Sequence, residues 1–343
     1  MLSNAVPGVQ CPWQWPWKTI QTPDRVPAVG QYDEADPSVT AWRLREMEKG
    51  GVGYLIYQVE WAHEHTQPDR LPEWRKRLPS PLIMSHSADH HAENHPDSPV
   101  EFCVAIWDVS TQAGHDFWKE LVEGEGWTAR EVEEGWRQFG RAVATRYMTK
   151  PKYLRIDSRP VLFRGNAHTL PFYDRMFGVS PERIVGFVRE EVRAVTGQDL
   201  YLVATATEHS YWPKLKSIGF DAATEYLQHS DTWEHAAAWY RIVWTEQLAE
   251  AKRYGLDFWV PATCGYDARA WPRSNQDVFI PTPAQFKAHM LEARKFARDN
   301  YDITRGMIAT YSANEHGESS SCLEPYADSR GDRMLRAHAE ARP

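Results

Sequence analysis

Gly51-Val52-Gly53-Tyr54-Leu55-Ile56-Tyr57-Gln58-Val59 decides the fold class. The run is almost continuously apolar and shows no polar alternation. That is the pattern of a strand covered on both faces, which points to a parallel sheet. Just before it, Asp36-Pro37-Ser38 opens a helix. Aspartate caps a helix N-terminus, and proline is preorganised for the first helical position. Gly50-Gly51 closes that helix, since glycine takes the left-handed C-terminal conformation without steric cost.

Outward from this unit the pattern repeats: a short apolar run, a polar turn, a longer amphipathic stretch. Strands are predicted at residues 102–107, 160–163, 201–205, 219–225, 258–262 and 307–311, with the first near the proline-rich residues 8–13. The longest helices are predicted at residues 113–147, 231–254 and 282–300. The units recur in pattern only, without a sequence-level repeat. Eight strand–helix units in 343 residues predict a (β/α)8 TIM barrel forming a single catalytic domain, 1–343. The alternative, a doubly wound open sheet, lacks the G-x-G-x-x-G that a dinucleotide fold carries after its first strand.

A net charge of -8 leaves no basic footprint for nucleic acid. No apolar run reaches membrane-spanning length. The N-terminal residues show neither the basic nor the apolar region of a signal peptide. Cys11, Cys103, Cys264 and Cys322 are widely separated and fit no zinc spacing. Reduced thiols are therefore expected, as is a cytoplasmic location with neither metal nor cofactor. The 16 tryptophans exceed what one core requires, and flat indoles suit the C–H faces of sugar rings.

In a barrel the chemistry sits where strands run out into the following loops. The residues at those places are Glu60-Trp61, Trp107-Asp108, Arg164, Thr207-Glu208-His209, Glu225-Tyr226, Tyr266-Asp267 with Arg269, and Asn314-Glu315-His316-Gly317-Glu318. Carboxylates and amides match sugar hydroxyls, and aromatic rings match sugar faces. The sequence therefore predicts a glycan or oligosaccharide partner. Asn314, His316, Glu60, Trp61, Trp107, Asp108, Glu225, Tyr226, Tyr266, Asp267 and Arg269 are the candidate binding residues.

Glu315 and Glu318 are the candidate catalytic pair. Residues three apart on a helical turn have Cβ atoms about 5–6 Å apart. Retaining glycosidases hold two carboxyls about 5–5.5 Å apart. Such proximity separates the two pKa values, so one carboxyl stays protonated as the acid while the other stays ionised.

Asn314-Glu315-His316-Gly317-Glu318, followed by Leu323-Glu324-Pro325, resembles the Asn-Glu-Trp-x-Glu-Gly…Leu-Glu-Pro signature of the WbsX-like proteins and glycoside hydrolase family 99. Here His316 stands where the family has Trp, and Ser319 where it has Gly. The resemblance continues through Gly30-Gln31-Tyr32-Asp33-Glu34-Ala35-Asp36-Pro37, residues 102–107 and 153–162, Gly219-Phe220-Asp221-Ala222 with Glu225, and Gly265-Tyr266-Asp267-Ala268-Arg269. It implies a (β/α)8 barrel and a retaining endo-acting α-mannosidase. It also implies roles. Glu315 would take the proton of the sugar 2-hydroxyl, giving a 1,2-anhydro sugar, and Glu318 would be the general acid–base. Glycosyl transfer or transglycosylation in polysaccharide assembly is the alternative activity. A barrel that binds glycan without chemistry is the non-enzymatic one, and the two carboxylates weigh against it.

The histidine-rich residues 85–95 include His86–His90 and His91–His95 at i, i+4, but no H-E-x-x-H. They are expected to form a solvated face of the second helix, away from the mouth and without a metal.

Overall fold

A computed structural model describes residues 26–30, 32–61, 82–83, 85–107, 128–205, 211–226, 230–267, 278–314 and 322–342; of Glu60, Trp61, Leu82, Ile83 and Trp107 it describes the backbone. The chain forms two compact units, Tyr54–Ala223 and Met1–Gly53 with Thr224–Pro343.

The Tyr54–Ala223 unit is built on a parallel ladder. Strand β1 (Tyr54–Trp61) pairs with β3 (Glu101–Trp107), β3 with β5 (Arg159–Gly165), and β5 with β6 (Tyr201–Thr205). In register, Val59 faces Ile106, Ile106 faces Arg164 and Arg164 faces Ala204. Because the strands are parallel, Glu60-Trp61 and Trp107 run out at the same edge. Strand β2 (Leu82–Ile83) caps the end of β1 in antiparallel pairing. Strand β7 (Ala222–Thr224) follows β6 in sheet order.

Helices fill the crossovers: α2 (His86–Asn94), α3 (Ala129–Val143), α4 (Pro171–Phe177), α5 (Pro181–Thr196) and α6 (Trp212–Ile218). Thr128 and Glu131 form a capping box that starts α3. Its apolar stripe (Val132, Trp136, Phe139, Val143) is buried, and Gly140 lets the helix approach α5 at Val188. Phe102 centres the core here, with Tyr57, His91, Tyr147 and Tyr153 around it. Burial of an apolar ring such as Phe102 contributes about 1.5–3 kcal/mol.

The short strand β4 (Arg155–Ile156) turns back onto β5 through Asp157 and Ser158, at φ 49° and 69°. Positive φ at both central positions is the type I′ pattern of two-residue hairpins, which glycine meets best at the second. Ser158→Gly is therefore expected to raise stability by about 0.5–1 kcal/mol. A lower urea midpoint for the variant would contradict this.

The expectation of a solvated histidine face fails for α2. His91 is fully buried, with Nε2 at 3.1 Å from the Val100 carbonyl and Nδ1 at 3.2 Å from the Tyr57 hydroxyl. Ser85 and Asp89 are also buried; Asp89 accepts from Ser85, Tyr147 and Arg146. Polar residues with internal partners fill this face, so composition alone misreads it.

The second unit carries α1 (Pro37–Gly50), capped by the Asp36 side chain on the Ser38 amide and ended by Gly51 at φ 72°. A Cβ at Gly50 would lie 2.1 Å from Leu335 on α10 (Arg333–Glu340), so glycine there permits close approach of the two helices. His338 of α10 also binds the Gly50 carbonyl at 2.7 Å. Strand β8 (Asp257–Phe258) and β9 (Val260–Thr263) divide the predicted 258–262 strand at Trp259. Strand β9 pairs in parallel with β12 (Ile308–Tyr311). Strands β10 (Tyr266–Asp267) and β11 (Val278–Phe279) form an antiparallel pair. The long helices are α7 (Trp233–Tyr254) and α8 (Pro283–Asp299), the latter followed by the one-turn α9 (Tyr301–Thr304). His289 of α8 is enclosed by Trp233, Tyr240 and Trp244. Among the described residues no helix is long and apolar enough to cross a membrane.

Burial pushes His91, His289 and His338 down from 6.5 to about 4. Between those values the unfolded chain binds protons that the folded chain refuses. Their contribution to stability is therefore complete above pH 6.5 and is lost as pH falls toward 4. The urea midpoint should drop across this window, and less steeply in His91→Gln. A flat profile from pH 7 to 4.5 would contradict the burial.

Candidate active site

Helix α1 places a charge on its apolar stripe. Val39, Arg43 and Met47 follow one another at i, i+4, i+8, and all three are buried. The Arg43 guanidinium is met by two carboxylates. Glu34, in the turn before the helix, takes Nη1 at 2.9 Å and Nη2 at 2.6 Å. Glu324, in the Leu323-Glu324-Pro325 turn, takes Nε at 2.5 Å. The Tyr32 hydroxyl donates to the other Glu324 oxygen at 2.8 Å and accepts from Arg43 Nη2 at 3.2 Å. Arg43 is 2% exposed, Glu34 3% and Glu324 0%, so this is a desolvated, fork-shaped ion cluster. Burial opposes the charge on Arg43, but Glu324 and Glu34 outweigh it and raise its pKa well above the ordinary value. Burial, then the Glu324 charge, raises Tyr32, which therefore stays a phenol and a donor.

The cluster reaches the segment that holds the candidate pair. Asn314 Nδ2 donates to Glu34 Oε1 at 3.0 Å. The Leu323 amide donates to the Ser312 carbonyl at 3.3 Å, and the Glu324 amide to the Ala313 carbonyl at 2.9 Å. The chain thus leaves β12 through residues 312–314 and returns at 322–324 against the same backbone. Cys322 is buried there, its amide donating to the Tyr326 hydroxyl at 2.7 Å.

The other candidates divide by position. Glu225 follows β7, is 2% exposed and accepts a hydrogen bond from Gln247 of α7. Tyr226 stands edge-on to Tyr311, with ring centroids 4.6 Å apart. Tyr266 stands 6.0 Å from Phe279. These rings form one cluster with Trp233, so Tyr226 and Tyr266 are brought together beside the end of β12. Asp267, beside Tyr266, is fully buried. Arg164 is also buried, its guanidinium on the Ile106 and Gly165 carbonyls at 3.5 and 2.6 Å. Glu60, Trp61 and Trp107 hold their strand-end backbone positions. Asp108, Thr207, Glu208, His209, Arg269, Glu315, His316 and Glu318 lie outside the described residues. The sequence reading assigned no role to Tyr32, Glu34, Arg43, Glu324 or Gln247. The signal was there for two of them: Arg43 and Gln247 each interrupt the buried stripe of a helix.

No protein-family model and no curated protein matches the chain. Solved structures do. The chain is similar to the glycoside hydrolase family 99 endo-α-mannosidase of Bacteroides thetaiotaomicron, with 16% identity over 92% of this chain and 82% of that one, at a TM-score of 0.56. It is similar to a glycoside hydrolase-like protein, with 16% identity over 92% and 88%, at 0.65. It is also similar to the endo-β-1,4-mannanase of Thermotoga petrophila, with 12% identity over 89% and 73%, at 0.52. The fold is therefore a (β/α)8 barrel of the kind found in glycoside hydrolases, family 99 among them.

Proposed function

We propose that this chain is a retaining glycoside hydrolase acting on α-linked mannosyl glycans, working as one catalytic domain, with Glu315 and Glu318 as its pair. The observation that carries the reading is Asn314. It leads directly into Glu315, follows a parallel strand, and is tied by its amide to the buried Glu34–Arg43–Glu324 cluster. The fold likeness to an endo-α-mannosidase supports the same activity. The buried thiols Cys103, Cys264 and Cys322 suit a reducing, cytoplasmic setting.

In the first step Glu318, as the acid, gives its proton to the glycosidic oxygen and the C1–O bond breaks. Glu315 takes the 2-hydroxyl proton while O2 closes on C1, giving the 1,2-anhydro sugar. In the second step Glu318 takes a proton from water, the water oxygen attacks C1 as the C1–O2 bond breaks, and Glu315 returns its proton to the released O2. Two displacements at C1 leave the anomeric configuration unchanged. Asn314, Trp61, Trp107, Asp108, Glu225, Tyr226, Tyr266, Asp267, Arg269, Glu60 and His316 are proposed to hold the glycan. Proton NMR of α-mannan digestion tests this: the first product to appear should be the α-anomer. A β-anomer first, or no cleavage, would overturn the proposal.

A further inference from the structure

The contacts around Arg43 close on themselves. Asn314 donates to Glu34, Glu34 is held by Arg43, Arg43 holds Glu324, and the Glu324 amide returns to the Ala313 carbonyl, one residue from Asn314. This ring joins the two backbone stretches that flank Glu315 and Glu318. Its members come from the turn before α1, from α1 itself, and from both flanks. A local hydrogen bond within the loop would not need so many distant parts. A surface ion pair would not be desolvated as this one is, and Arg43, Glu34 and Glu324 are all at most 3% exposed.

From this ring we infer that Arg43 and Glu34 are positioning residues for the proposed Glu315–Glu318 pair: they tie residues 312–314 to residues 322–324, on either side of it. The inference rests on the reading of Glu315 and Glu318 as the catalytic pair. Arg43 suits the task because a planar guanidinium grips two carboxylates in set directions, which a lysine ammonium cannot do. Displacing a catalytic group by about 1 Å costs about 100-fold in rate. Loss of the lock should therefore lower turnover without equal loss of substrate affinity.

The test uses the full chain and four proteins: wild type, Arg43→Lys, Glu34→Ala and Glu34→Gln. Glu34→Ala leaves one carboxylate on Arg43 and so keeps a neutral pair if Arg43→Lys fails to fold. Two quantities are measured: deuterium uptake at the amides of Cys322, Leu323 and Glu324, and kcat and KM on α-linked mannan. Glu34→Ala should exchange about tenfold faster at those amides, with residues 201–205 unchanged. Its kcat should fall about 10- to 100-fold with KM within about threefold, and Glu34→Gln should recover most of both. Folded Glu34→Ala with wild-type exchange and kcat would overturn the inference, as would faster exchange spread evenly over the whole chain. If wild type itself does not cleave mannan, the proposed substrate fails and the exchange result decides the lock by itself.

Discussion

Arg43→Met should cost about 3–5 kcal/mol of folding stability, because it leaves a buried carboxylate pair without its counter-ion. The side chain is 2% exposed, and it satisfies both oxygens of Glu34 and one of Glu324. Methionine fills part of the same apolar stem but is shorter and donates nothing. Neither carboxylate can turn to water without opening the contacts of α1 with its surroundings. The variant should therefore protonate a carboxylate or unfold, and either outcome appears as a large drop in the denaturant midpoint. The drop should shrink at acid pH, where protonation relieves the pair. A folded Arg43→Met within about 1 kcal/mol of wild type at neutral pH would show that the cluster is not desolvated as described.

Much of the fold was legible because its signals are local and physical. Asp36, Pro37 and Gly50-Gly51 mark the two ends of α1 through capping and left-handed geometry, and the helix runs from Pro37 to Gly50. The apolar runs at 102–107 and 201–205 are strands, and residues 102–106 and 201–205 are buried on both faces. What was missed depends on partners far away in sequence. The hairpin at Asp157-Ser158 lacks the glycine that usually announces such a turn. Composition makes residues 85–95 look solvated, yet His91 and Asp89 are satisfied by Tyr57, Val100, Ser85, Arg146 and Tyr147. Pairing partners of that kind cannot be read from spacing.

The candidate site divides in the same way. Tyr226, Tyr266 and Asn314 draw notice by their positions after strands; Tyr226 and Tyr266 pack with Tyr311 at the end of β12, and Asn314, three residues further on, bonds Glu34. The cluster of Glu34, Arg43 and Glu324 was not, because its members are separated by |i−j| of 9 and 281. An arginine on the buried side of a helix was the single local hint. Such a residue nearly always has a charged partner elsewhere. Leu323-Glu324-Pro325 drew notice through resemblance alone, and Glu324 proves to be the counter-ion that holds Arg43.

The catalytic carboxylates carry the largest expected effect. Removing a general acid or base costs about 100- to 10,000-fold in rate. Glu318→Gln removes the proton donor. It should abolish turnover of glycans with poor leaving groups and spare substrates whose leaving group departs without protonation. Glu315→Gln removes the base that forms the 1,2-anhydro sugar, a step both kinds of substrate require, so it should cripple both. Both variants should fold, since the changes exchange one polar side chain for another of the same shape. The most direct measurement is the turnover of Glu318→Gln on α-mannan and on an α-mannosyl donor with an activated aryl leaving group. The account predicts loss on mannan of at least about 100-fold with near wild-type rates on the aryl substrate; wild-type turnover of mannan by this variant would contradict it.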